Sequence, residues 1–264
     1  MLAVANNQKP SRLPLYEHII SPLIMEKILN VKFADCIDGN EDDIENYFKH
    51  FSRFFKEMTY DTISYEICIT HILPGSGALL GGKPGPIQNR KDFNNYPWNE
   101  LDSKFWNYAQ KRFDILIRQI PEGMKVIGGI GNGVFEISED LVGLEYLAYM
   151  QVDDPQLFSD IYASIGDLLV RIWKRFLEQY ADFFVVCRFG DDLGFRSSTL
   201  TSINNIRQFI LPQYKRIISL IKSYNKPFLW HSCGCIFDVM DDVIELGINA
   251  KHSTKMLYLH SING

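Results

Sequence analysis

Short apolar runs alternate with longer stretches of helical periodicity along most of the chain. Ile44, Tyr47, Phe48, Phe51 and Phe55 recur at helical spacing, which predicts an amphipathic helix over residues 42–56 with an aromatic stripe turned to a core. Further helical patterns cover 105–120, 157–180, 202–224 and 236–246, and the second of these four is opened by the start signal Asp154-Pro155. Between the helices lie runs too short to be helical and rich in β-branched and aromatic residues: 13–18, 62–69, 125–130, 183–188, 227–231 and 248–252. Strands separated by helices pair in parallel through helical crossovers, so the class is α/β.

Six strand units in series, each but the last followed by a helix, predict a (β/α)8 barrel of the TIM type that lacks its last two strands. A doubly wound dinucleotide fold is disfavoured, because neither Gly128-Gly-Ile-Gly-Asn-Gly133 nor Gly75-Ser-Gly77 has the G-x-G-x-x-G spacing. Residues 1–264 thus form one incomplete barrel domain, with the Gly/Pro-rich stretch 74–86 as a long loop. Chemistry in such barrels sits at the carboxyl ends of the strands, and polar residues collect there. Glu66, Asp191 and Asp192 are the catalytic candidates, and Glu17 and His252 the candidate substrate contacts. For the adjacent Asp191 and Asp192, a helix cap or turn is as good a reading as a substrate-facing role. For Glu66 the alternative is a satisfied charge in the barrel mouth.

His231-Ser-Cys233-Gly-Cys235 puts three metal-capable side chains directly after the apolar run Pro227-Phe-Leu-Trp230. Residues at i and i+2 point to one side of an extended backbone, so His231 and Cys233 can grip one ion together. Cys235 shares that parity only if the extension continues through Gly234. Sulfur plus nitrogen favours zinc, and three protein ligands with an open fourth position is the catalytic arrangement. The bland alternative is a buried thiol beside a hydrogen-bonded histidine.

Composition narrows the partners. With 264 residues, 46% of them hydrophobic, the chain can bury a sizeable core. A net charge of -5 without any dense Lys/Arg block argues against nucleic acid. Five cysteines, mostly inside apolar runs, point to a reducing, cytoplasmic compartment. Residues 1–10 have no leader pattern, and no run approaches the ~18 apolar residues that span a bilayer, so a soluble protein without a membrane partner is expected.

Five segments carry a family resemblance: Arg12-Leu-Pro-Leu-Tyr-Glu17, Ile72-Leu-Pro-Gly-Ser-Gly77, Tyr96-Pro-Trp98, Gly190-Asp-Asp-Leu-Gly194 and His231-Ser-Cys-Gly234. In this order and spacing, from about residue 12 to residue 253, the chain resembles the uroporphyrinogen decarboxylase superfamily, and within it the zinc-dependent, corrinoid-linked methyltransferase branch. The resemblance implies a zinc held by H-x-C and a much later cysteine, so that His231 and Cys233 are metal ligands and Cys235 is not. It implies methyl transfer between a small-molecule donor or acceptor and a cobalt corrinoid supplied by a partner protein docking over the barrel mouth. The decarboxylase branch lacks the His-x-Cys pair and carries an arginine-rich signature near its first strand, which is absent here. A lyase of that type, or a non-catalytic remnant, is the alternative.

The likeness stops after Ser253, and Thr254-Lys-Met-Leu-Tyr-Leu-His-Ser-Ile-Asn-Gly264 matches nothing in the family. One back-translation of this tail, read a base out of frame, looks like the family's continuation. The expectation is therefore a truncated or frame-disrupted member whose later zinc cysteine and last two strands lie past Gly264. Open sheet edges in such a chain predict self-association.

Overall fold

The structure, a computed structural model, describes residues 1–252; the expectations for the tail fall outside the described residues. Five strands form one sheet in chain order: β1 (Thr62–Cys68), β2 (Lys125–Gly131), β3 (Phe184–Gly190), β4 (Phe228–His231) and β5 (Ala250–His252). Every neighbouring pair is parallel, and every connection contains at least one helix. An all-parallel sheet in unbroken sequential order is a segment of barrel wall, whereas a doubly wound sheet reverses direction at a switch point. The chain is thus an α/β protein with part of a (β/α)8 barrel.

Five of the six expected strands form within one or two residues of their predicted bounds. The first does not: residues 13–18 make no strand, so the described sheet has five strands and not six. Pro14 removes a ladder donor there, and Leu13 is 81% exposed. The segment is held beside β1 by one backbone bond, Asp61 N–H to Leu15 O at 3.3 Å, and by side chains. Leu15 N–H donates to Asp61 Oδ2 at 2.7 Å, Arg12 pairs with Asp61 Oδ1 at 2.7 Å, and Ser64 Oγ donates to Glu17 O.

The predicted aromatic helix spans Glu41–Glu57, opened by a reciprocal cap between Asn40 and Asp43, and buries Ile44, Tyr47, Phe48, Phe51 and Phe55. Leu101–Arg118 and Pro155–Tyr180 follow as expected, the second with Asp154 accepting from Leu157 N. The expected 202–224 helix is interrupted: a short Ile203–Asn205 turn leads into a π-type segment, Ile206–Ile210, before Leu211–Ser223. Pro212 has no N–H to give, and the ladder widens just ahead of it. The 236–246 helix shortens to Met240–Glu245 behind a 3₁₀ turn. Two helices beyond the expected set, Val134–Val142 and Leu144–Asp153, fill the crossover after β2.

Strand residues on one face, among them Ile63, Ile67, Val126, Ile130, Phe189 and Trp230, join the helices in the main core. On the inner face Ile127, Val186 and Leu229 form a second apolar cluster with Ala5, and Met1, Tyr16 and Ala250 pack on it. Two residues further along their strands the inner face turns polar, with Arg188 after Val186, His231 after Leu229 and His252 after Ala250. An apolar floor therefore lies under a polar layer at the carboxyl ends of the strands. None of the helices among the described residues is long and apolar enough to cross a membrane.

Candidate metal centre

β4 delivers His231 and then turns through Gly234, whose φ of 73° suits a residue without a side chain. His231 Nε2 lies 3.4 Å from Cys233 Sγ and 3.5 Å from Asp192 Oδ1, and the three ligand atoms lie within 4.8 Å of one another. Around a tetrahedral ion with bonds of about 2.0–2.3 Å, ligand atoms sit about 3.3–3.8 Å apart. The nitrogen–sulfur and nitrogen–oxygen separations therefore suit a zinc-type ion held through His231.

Two loops build this triangle. Asp191 N–H donates to His231 O at 2.9 Å, Leu193 N–H to Ser232 Oγ at 3.0 Å, Cys233 N–H to Asp192 Oδ1 at 2.7 Å and Cys235 N–H to Phe195 O at 2.7 Å. The Gly190–Gly194 and His231–Gly234 motifs are thus one structure, stitched by backbone N–H groups to both backbone and side-chain acceptors. A Cβ on Gly194 would stand 2.7 Å from Cys233 O and Cys235 N, and one on Gly234 would strike the Gly194 backbone. Glycine at both positions is what lets the loops touch.

The adjacent aspartates part company. Asp191 is fully buried and accepts from Phe135 N–H (2.8 Å), Glu136 N–H (2.7 Å) and Tyr214 O–H (2.5 Å). It caps the Val134–Val142 helix from a distant loop. Burial nonetheless pushes its carboxyl up to about 7 against the pull of those donors. Asp192 alone faces His231 and Cys233.

Around the triangle, His231 Nδ1 lies 3.1 Å from His252 Nδ1. If His231 holds its proton on Nδ1 and gives it to His252, its Nε2 lone pair points at Cys233 and Asp192, the usual arrangement for a metal-binding imidazole. The His18 ring stands 6.0 Å from that of His231 and 5.9 Å from that of His252, with His18 Nε2 3.6 Å from Glu66 Oε1. Burial first, and then the Arg188 guanidinium, lowers His18 to about 3 and His231 to about 4, and lowers His252 as well. All three imidazoles are neutral at pH 7. Arg188 is itself buried and pairs through Nη1 with Glu66, while its Nε is left without a partner.

The structure thus brings together His231, Cys233, Asp192, His252 and Glu66 of the residues named from sequence. Glu17 is itself exposed, on the 13–18 segment, where its carboxylate accepts from His18 N–H at 3.1 Å and its charge reaches His252. Cys235 stands outside the convergent group. Sequence reasoning missed Arg188, although a lone charge inside an apolar strand was a usable signal. It also missed Glu136, which accepts from Asp192 N–H (3.2 Å) and Asn132 Nδ2 (2.8 Å) and is pushed up to about 8 by burial and then by Asp191. A cavity of about 540 Å³ opens elsewhere, between Phe135, Leu144, Phe158, Tyr162 and Leu200. It touches none of the donor atoms, and the convergence of donors outweighs its size as a guide to chemistry.

The chain matches the family model described as uroporphyrinogen decarboxylase (URO-D) over residues 1–256, and it belongs to that family. Its fold is similar to that of a methyltransferase from Methanosarcina mazei, with a TM-score of 0.72 and 13% identity over 95% of this chain and 73% of that chain. At such identity the likeness is one of fold. Among curated proteins, none matches the sequence.

Proposed function

We propose that the chain is a zinc-dependent methyltransferase that moves a methyl group between a small molecule and a corrinoid carried by a partner protein. The observation that carries this reading is the convergence of His231 Nε2, Cys233 Sγ and Asp192 Oδ1 at the carboxyl end of a URO-D family sheet. A zinc ion there would supply Lewis acidity, able to hold a thiol as thiolate or to polarise a methyl-ether oxygen. His231 offers a neutral imidazole, His252 orients it, and the buried Arg188–Glu66 pair fixes the polar layer beneath. Phe195 and Phe237, 58% and 68% exposed on the loops beside the site, offer apolar surface for a docking corrinoid protein. The thiol ligand and the lack of any disulfide among the described residues accord with a reducing, cytoplasmic setting.

A porphyrinogen-type lyase would need cations facing its substrate's carboxylates. In this polar layer Arg188 is neutralised by Glu66 and the three histidines are uncharged at pH 7, which leaves, among the described residues, a single lysine, Lys251, whose Nζ donates to Ser232 O at 3.0 Å, as the cation beside the donors. The methyltransferase reading is therefore preferred. Elemental analysis of the purified chain tests its metal: zinc should be present in the chain and in Cys235→Ala, and absent from Cys233→Ser. Equal zinc in Cys233→Ser would end the assignment.

A further inference from the structure

We propose that Asp192 is the third protein ligand of this metal, so that the chain closes a His-Cys-Asp donor set from two neighbouring loops. The inference rests on the metal reading above and goes beyond the histidine and thiolate that the His-x-Cys motif announces. Its ground is geometric. Asp192 Oδ1 stands 3.5 Å from His231 Nε2, the same separation to within 0.1 Å as the 3.4 Å between that nitrogen and Cys233 Sγ. Its position is fixed by the ligand loop itself, since Cys233 N–H donates to Oδ1 at 2.7 Å, and a carboxylate oxygen with a second lone pair can accept that bond and still bind a cation. Asp192 N–H meanwhile donates to Glu136 Oε1 at 3.2 Å, so both ends of the residue are held.

Among the described residues the other nearby donors lie outside the convergent group. Asp191 is saturated by Phe135, Glu136 and Tyr214. Glu66 is tied to Arg188, and His252 Nδ1 to His231 Nδ1. The Cys235 thiol is not among the convergent donor atoms. Asp192 is also the more open side of the triangle, its side chain 40% exposed against 12% for His231.

The charge count agrees. A dication held by one neutral imidazole and two thiolates is neutral overall, and replacing one thiolate by a carboxylate keeps that balance. Oxygen is the harder donor and gives less electron density to the ion, so a His-Cys-Asp centre leaves the metal more electrophilic than a His-Cys-Cys one.

The test measures zinc affinity by competition with a chromophoric chelator, and the visible spectrum of the cobalt(II)-loaded chain, for the unmodified protein and for Asp192→Asn, Asp192→Ala and Cys233→Ser. Circular dichroism and thermal melting check folding. Asp192→Asn keeps an oxygen for the Cys233 N–H and carries the test if Asp192→Ala does not fold. We expect one zinc per chain, weakened about 100-fold or more in each Asp192 variant, since even residues that only support a ligand cost 10–100-fold. In the cobalt form the Asp192 variants should change the d–d bands and retain the thiolate charge-transfer band, which Cys233→Ser should lose. Unchanged affinity in Asp192→Asn, with zinc lost in Cys233→Ser, would overturn the Asp192 assignment and leave the His231–Cys233 centre standing. No zinc bound by the unmodified chain would overturn both.

Discussion

Replacing Glu139 by glutamine should stabilise the protein at pH 8 and leave its stability at pH 5 close to that of the unmodified chain. Glu139 is a buried carboxyl on the Val134–Val142 helix, pushed up from 4.5 to about 8 by burial first and then by the charges of Asp191, Glu136 and Asp192. A raised carboxyl stabilises the fold while protonated, so its contribution is fully present below pH 4.5 and is lost as the pH climbs through 8. A tenfold change in proton affinity is worth about 1.4 kcal/mol, so the full displacement corresponds to at most roughly 5 kcal/mol, and local relaxation brings a realistic figure to about 2–3 kcal/mol. In a chain of this size each kcal/mol moves the melting temperature by about 2–4 °C. Glutamine has the shape of the protonated acid but cannot ionise. Melting of the metal-free chain should therefore show Glu139→Gln level with the parent at pH 5 and higher by about 5–10 °C at pH 8. An offset that is the same at both pH values, or that favours the parent at pH 8, would refute the account of this acidic cluster.

Asp191→Ala should destabilise by on the order of 3 kcal/mol or more in urea unfolding, because it strands the Phe135 and Glu136 amides and the Tyr214 hydroxyl in a buried site. Gly234→Ala puts a Cβ into the Gly194 backbone at a φ of 73°, so it should loosen zinc by about tenfold or more while circular dichroism stays near the parent's; unchanged affinity would show that the loop contact does not hold the donors. β1 and β5 are the edges of the sheet among the described residues, and pairing between copies should appear as dimers or larger species in light scattering, with a stable monomer arguing against it.

Much of the strand pattern could be read from the chain because β-branched runs such as Val126–Ile127 and Phe184–Val186 end in glycine or polar residues at the barrel mouth. Residues 13–18 misled because their alternation resembles a strand's while Pro14 cannot join a ladder. The Val134–Val142 helix stayed hidden for a different reason. Its N-cap, Gly133, offers no side chain, and the cap comes from Asp191, 56 residues from Phe135 in sequence. Local pattern cannot display a capping group of that kind. The same distance hid Glu136, whose partner is the backbone of Asp192. The approach of Cys233 to His231 was suggested by their i, i+2 spacing, although β4 ends at His231 and Cys233 lies in the loop that follows. Which of Asp191 and Asp192 would join them was not legible, because the choice is made by the packing of one loop against another.

Methyl transfer itself tests the central claim most directly. The zinc-loaded chain, mixed with methylcobalamin and a panel of small thiols, should demethylate the corrinoid, read as the change in its visible spectrum, and the rate should vanish in Cys233→Ser and after chelation. Demethylation that survives both treatments unchanged, or none with any thiol from a folded chain replete in zinc, would contradict the account.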